Sequence, residues 1–332
     1  MSCECNIFPP ALRDGGWDIN GDHCFYLEEH KTNSADMEVS VLYKANCLLA
    51  EGPFWHAERK TFFWVDIEAK ILFEYNWKNG SIKKTPIPYR VSMIVQAEPN
   101  NLILGVQGGL AAINLSTGTL SWLLDIEKEF PDHRCNDGKC DPQGRLWIGT
   151  MDKDCKEGEG SFYCIDEDLQ LHKKLDRLSI PNGLVWSLDN QRLYHTDSPS
   201  HEIKSYFFEA DTGNISLEKT VITIPPEMGQ PDGMTIDEEG MLWIAHWGGA
   251  GIYRWNPENG KLLDKIDVPA QQVTSCVFGG EQLDQLVITT ASTGLSEEDL
   301  KKYPLTGSIF IAKPGLKGIP ANKFKTLQHI HK

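Results

Sequence analysis

Basic side chains are scarce in this chain: 32 Lys and Arg stand against 47 Asp and Glu, a formal net charge of −15 over 332 residues. Such a surface repels phosphate backbones and anionic lipid, so neither nucleic acid nor a membrane surface is an expected partner. No apolar run approaches the roughly 20 residues that a membrane-spanning helix needs, and residues 1–30 lack the basic-then-apolar order of a secretory signal. The expected location is the cytoplasm. Cys-x-x-Cys and paired His spacings are missing, which leaves a zinc or redox role for Cys3, Cys5 and Cys24 without support. Nine cysteines cannot all pair within one chain. Cys135 and Cys140, which flank Asn136-Asp137-Gly138, are read as buried free thiols of a reducing compartment. The chain also lacks a Pro/Gly/Ser-rich linker and any long stretch with a period of 3.6, which argues against a two-domain or a helical architecture.

What the chain does contain is a repeat. Apolar strand anchors at Phe62, Leu102, Leu146, Leu193, Leu242 and Leu286 are separated, by subtraction, by 40, 44, 47, 49 and 44 residues. These intervals are close to the roughly 40–50 residues of a four-stranded propeller blade. Between anchors, short β-rich runs such as Phe62-Phe63-Trp64-Val65 and Ile252-Tyr253-Arg254-Trp255 alternate with turn pairs such as Asn79-Gly80, Thr117-Gly118, Thr212-Gly213 and Asn259-Gly260. The expected fold is all-β, a six-bladed β-propeller with a central metal site. The expected organisation is an N-terminal extension over 1–36 and the propeller over 37–332, its ring closed by a strand at 38–47 beside the C-terminal strands. One short helix is expected at 296–302, where Ser-Glu-Glu-Asp reads as an N-cap. Trp55, Trp147, Trp186 and Trp243 recur near the anchors and are read as packing between blades.

The metal expectation rests on four repeats in which the turn about ten residues before the anchor strand carries an acid or amide directly before glycine: Glu51-Gly52, Asp137-Gly138, Asn182-Gly183 and Asp232-Gly233. Asp and Asn before Gly are common turn formers, and a single such pair means no more than a turn. Four in one repeat frame, one of them a glutamate, bring oxygen donors to one axis of a closed ring. Glu51, Asn182 and Asp232 together make an all-oxygen set suited to a hard divalent ion, with room left for water or substrate. Calcium, magnesium and manganese fit that chemistry, and zinc or iron(II) in an open site stays admissible. Asp18, Asn20, Asp22 and Glu29 match four positions of a calcium-loop template, but His23 stands where its sharp turn needs glycine, so the match is read as chance.

Four longer blocks carry a resemblance. They are Leu49-Ala50-Glu51-Gly52-Pro53-Phe54-Trp55; Arg134-x-Asn136-Asp137-Gly138-Lys139-x-Asp141-Pro142-x-Gly144-Arg145; Pro181-Asn182-Gly183-Leu184-x-Trp186-Ser187; and Pro231-Asp232-Gly233-Met234-x-Ile236-Asp237-x-x-Gly240-x-Leu242-Trp243. In order and spacing they resemble the signature blocks of the senescence-marker-protein/gluconolactonase family, also called regucalcins, over about residues 38 to 325. The resemblance implies a six-bladed propeller with one divalent cation in its tunnel and hydrolysis of sugar lactones to aldonic acids. It implies Glu51, Asn182 and Asp232 as metal ligands, Asn136 beside the metal in contact with water or substrate, and Arg134 on sugar hydroxyls. Asp154 falls where family members often carry a substrate-touching glutamate, a departure that shortens the side chain by one methylene. His246-Trp247-Gly248-Gly249 departs from the Asn-Gly-Gly of animal members; His246 is read either as a substrate contact at the tunnel mouth or as a hydrogen-bonded structural residue.

The implied reaction is acyl transfer to water, with a metal-polarised carbonyl and Asp232 as general base as well as ligand. Two alternatives come from other classes: a phosphotriester hydrolase on the same scaffold, and a non-enzymatic calcium-binding or interaction propeller. The chain lacks the regular Trp-Asp strand endings of the WD-repeat kind. The sugar, the metal and the oligomeric state are not fixed by the sequence.

Overall fold

The structure, a computed structural model, describes residues 38–326. Residues 1–37 and 327–332 lie outside the described residues, and with them the readings made for Cys3, Cys5, Cys24 and the calcium-loop match. The described chain is all-β apart from one short α-helix and two 3-10 turns. The helix is Glu297–Lys302, and its cap follows the sequence signal: Ser296 accepts from the Asp299 N–H while the Asp299 carboxylate accepts from the Ser296 N–H.

The strands form four four-stranded sheets and one eight-stranded sheet, antiparallel throughout. The eight-stranded sheet divides into two sets of four joined by the single residue pair Trp247 and Gln272. One of those sets includes the N-terminal strand Val39–Tyr43, which pairs with Ile309–Ala312. Each set has a first strand, and these strands touch in a cycle. Ala50–His56 lies against Val91–Glu98, which lies against His133–Cys140, then Pro181–Trp186, Gln230–Ile236 and Gln272–Gly279, which returns to Ala50–His56.

The second strand of each set explains why the anchors read as unbroken apolar runs. Side chains alternate across a strand, so one that is covered on both faces needs apolar residues at every position. In Thr61–Asp66, Phe63 and Val65 enter one core with Leu102 and Leu104, whereas Phe62 and Trp64 enter another with Val287 and Ile309. Leu146–Asp152 repeats this, with Leu146 and Ile148 on one side and Trp147 on the other, and so does Leu242–Trp247, with Ile244 and Trp243. Each buried aliphatic or aromatic side chain contributes on the order of 1.5–3 kcal/mol by area. Trp147 and Trp243 are fully buried and Trp55 and Trp186 nearly so, in the packing role expected of them.

One expectation needs correcting. The acid–glycine pairs are not turns: Glu51, Asp137, Asn182 and Asp232 lie inside the first strands, each at a register shift against the neighbouring strand. Local sequence cannot separate a bulge from a turn, because both accept Asp-Gly and Asn-Gly. The glycines are needed for space. A Cβ on Gly183 would lie 2.4 Å from the Asp232 carbonyl oxygen, and one on Gly233 would lie 2.1 Å from Ser275 Oγ. Their absent side chains let adjacent first strands approach around the centre.

Candidate metal centre

Every first strand carries such a bulge, including Val91–Glu98 at Ser92 and Gln272–Gly279 at Thr274. A bulge twists the strand and redirects a side chain, so the repeat places six polar residues in equivalent settings. In the four acid or amide cases the side-chain oxygen accepts from the next N–H: Gly52 to Glu51 Oε2 at 3.0 Å, Gly138 to Asp137 Oδ1 at 2.7 Å, Gly183 to Asn182 Oδ1 at 3.2 Å, and Gly233 to Asp232. The hydroxyl cases staple neighbouring strands instead. Ser92 Oγ donates to the Asn136 carbonyl at 2.7 Å, and Thr274 Oγ1 donates to the Ala50 carbonyl at 2.6 Å. The frame itself was the signal for these two residues, since both stand about one strand before an anchor, as Glu51 and Asp232 do.

Asp232 is buried, and its Oδ1 has no hydrogen-bond partner. Burial pushes its carboxyl well above the usual range; the Asp137 charge adds to this, and hydrogen bonds from Asn182 and Gly233 oppose it. Glu51 is likewise held well above the usual range by burial, then by the charges of Asp232 and Asp137. It keeps some accessible surface, as a group facing a narrow hollow does while protein atoms surround it. Burial also raises Asp137, against the charge of Lys139. Arg134 offsets Glu51 and Asp232 only in part; carboxylates gathered out of water with incomplete compensation are costly, and the cost falls when a cation joins them.

Among the described residues no three His, Cys, Asp or Glu side chains form a metal-ligand cluster by themselves. The candidate donor set therefore stands on Glu51, Asp232 and the amide of Asn182, whose side chain hydrogen-bonds Asp232. This set fits a divalent cation on two grounds: its donors are all oxygen, and one buried carboxylate oxygen lacks any partner.

Arg134 begins the same strand as Asp137. Its Nη1 donates to the Cys135 carbonyl at 2.9 Å and to Asn136 Oδ1 at 2.7 Å, and it sees the charges of Glu51 and Glu68. Asn136 Nδ2 donates to the Pro181 carbonyl at 3.0 Å, so both ends of this amide are engaged and the residue braces Arg134. Asp154 is exposed on the loop after Leu146–Asp152, with Lys153 Nζ 3.8 Å from its carboxylate. His246 is fully buried, its Nδ1 2.9 Å from the Met228 carbonyl oxygen and its ring stacked 3.9 Å from that of Tyr253. Burial draws its pKa down to about 4. Of its two readings, this geometry favours the structural one. Cys135 and Cys140 are buried free thiols, pushed up by burial, as expected.

The SMP-30/gluconolactonase/LRE-like region matches residues 49–292 of the chain. The chain belongs to this family. It is 32% identical over 292 residues to regucalcin from Bos taurus, covering 86% of this chain and 98% of that one. It is 33% identical over 277 residues to a putative sugar lactone lactonase, YvrE, from Bacillus subtilis, covering 83% and 95%. Among solved structures, a calcium-binding regucalcin from Agrobacterium tumefaciens superposes with a TM-score of 0.83 at 27% identity, over 88% of this chain and 98% of that one. Family membership and sheets of propeller type agree with the all-β, propeller-like architecture read from the repeat, and a relative named as a putative lactonase makes lactone hydrolysis the reaction class the family suggests. No helix of the described residues is long and apolar enough to cross a membrane.

Proposed function

We propose that this protein opens a sugar lactone, an aldonolactone, to the aldonic acid, in a cation-dependent reaction on the axis of a six-bladed propeller. The cyclic contacts of the first strands support the six-bladed reading. The observation that carries the functional one is the buried, unpartnered Asp232 Oδ1 beside Glu51 and Asn182 at equivalent bulges. Glu51, Asn182 and Asp232 are the residues that would hold the ion. When bound, a divalent cation supplies Lewis acidity toward a carbonyl oxygen and makes water more acidic.

The chain's own part follows from its geometry. Asp232 Oδ1 is free to accept a proton as water adds to the lactone carbonyl carbon. The acyl–oxygen bond of the ring then breaks, and that proton passes to the departing alkoxide. Arg134 is held through Nη1, which leaves Nε and Nη2 to donate to sugar hydroxyls. Asn136 fixes its direction. Asp154 lies at the end of the sheet that carries Arg134 and is assigned a contact with the outer part of the sugar. The partner is a small sugar lactone, and the ion is calcium, magnesium, manganese, zinc or iron(II).

The test is proton release from a panel of aldonolactones with chelator-stripped protein, adding back single divalent ions. Turnover that appears only with an ion, and only with protein, is expected. If no lactone opens faster than with buffer and ion alone, the lactonase reading fails. If a phosphotriester turns over and no lactone does, the reaction is phosphoryl transfer. If ions bind without any turnover, the protein is a calcium-binding propeller.

A further inference from the structure

Lys139 is a charged residue of the centre with no part in the reaction above. It lies two residues beyond Asp137 on His133–Cys140. Its Nζ donates to the carbonyl of Met234, on Gln230–Ile236. Those two strands are not neighbours, since Pro181–Trp186 stands between them in the cycle of first strands. The Lys139 side chain therefore reaches past Pro181–Trp186 to a non-adjacent first strand, two residues from Asp232. Cys276, on a third first strand, also feels its charge. Burial disfavours its ammonium, and the Asp137 carboxylate supports it.

We propose that Lys139 is a resident counter-charge that sets the valence of the ion this centre accepts, a claim that rests on the cation reading above. Glu51 and Asp232 feel the charges of Asp137 and Arg134, and Asp137 in turn feels that of Lys139, so these five side chains form one electrostatic group. With all five ionised, as a bound cation favours, they sum to one negative charge. A divalent ion turns that into one positive charge, which favours a developing oxyanion or an anionic product. A trivalent ion would leave two positive charges in a site with little water to screen them. Without Lys139 the acids would favour the more highly charged ion. The physical signature is specific: repulsion by a fixed positive charge scales with the charge of the ion, so removing it must aid a trivalent ion more than a divalent one.

The experiment compares calcium with terbium(III), a trivalent ion of similar size, by calorimetric titration of chelator-stripped full-length protein. In Lys139→Met both ions are expected to bind more tightly, and the terbium-to-calcium affinity ratio to rise by roughly tenfold. Lys139→Arg keeps the wild-type ratio. Asp137→Asn shifts the ratio the other way, and the Lys139→Met/Asp137→Asn double variant returns it toward wild type. Mere loosening of the fold weakens both ions together, and that result, or an unchanged ratio, overturns the proposal while leaving the cation reading in place. Failure of the wild-type protein to bind either ion overturns the cation reading itself. A melting curve of each variant confirms that it is folded before titration.

Discussion

Two kinds of buried acid sit in this molecule, and the contrast between them identifies the site. Asp141 and Asp237 are fully buried in the turns that leave two of the first strands, and each is completely answered. Asp141 accepts from Arg145 Nε at 2.6 Å, from Trp147 Nε1 at 3.0 Å and from the Gln143 and Arg145 N–H groups. Asp237 repeats the arrangement with Arg254, Trp243, Glu239 and Met241. Glu51 and Asp232, on the first strands themselves, have backbone N–H groups, an amide and the more distant charge of Arg134, against the repulsion of neighbouring acids, and neither makes an ion pair among the described residues. The acids of the turns each have an arginine in direct contact, whereas at the centre Arg134 and Lys139 offset the acids only in part. Incompletely offset buried charge is costly, and this cost is what supports the proposal of a cation at the centre.

The contrast can be broken most forcefully at Asp232. Asp232→Ala should lower lactone turnover by about 10²–10⁴-fold, as loss of a general base does, and should abolish stabilisation by added cation. In the metal-free protein the same change should raise the melting temperature, because it relieves repulsion with Glu51. A fall in the melting temperature of the stripped variant would place Asp232 with the answered acids. Asp237→Ala should behave in the opposite way, costing about 3–5 kcal/mol by breaking the buried pair with Arg254 and leaving the Trp243 Nε1–H and the Glu239 and Met241 N–H groups without their acceptor, while turnover per folded molecule stays near wild type. Denaturant melts paired with single-temperature rates measure both halves.

A pH comparison sharpens the same point. Glu51 and Asp232 are held above the ordinary carboxylate range, so protons compete with the ion for them as pH falls. The rise in melting temperature on adding calcium should be larger at about pH 8 than at about pH 5. The sign follows from the raised values: in the stripped protein these groups favour folding while protonated, and that contribution is lost as pH rises through their folded range. An equal shift at both pH values would contradict it. The smallest effect belongs to the surface. Lys60 and Glu281 meet at 2.6 Å, but both are more than half exposed. Lys60→Ala should change stability by no more than about 0.5 kcal/mol.

Much of this was legible in the sequence because repetition converts a weak local signal into a positional one. A single Asp-Gly means little, but four in the frame of Phe62, Leu146, Leu193 and Leu242 mark a common axis. The apolar runs were equally clear, since covering both faces of a strand demands continuous hydrophobicity. The bulges were not legible, because bulge and turn draw on the same residues. Nor were the roles of Ser92 and Thr274, whose hydroxyls do nothing distinctive until a neighbouring strand supplies the acceptor. Lys139 stood inside a matching block, yet only the placement of Met234 on a non-adjacent first strand shows what it reaches. Asn136 shows the remaining limit: its type suggests a ligand contact, and only the structure shows that its amide also accepts from Arg134 and donates to the Pro181 carbonyl.

The central claim is that Glu51, Asn182 and Asp232 hold one divalent ion. Anomalous diffraction from crystals of the full chain soaked in manganese tests it most directly. The account predicts a single strong peak within coordinating distance of all three side-chain oxygens, lost in Asp232→Ala. No peak there, or a peak at the answered acids Asp141 or Asp237, would contradict it.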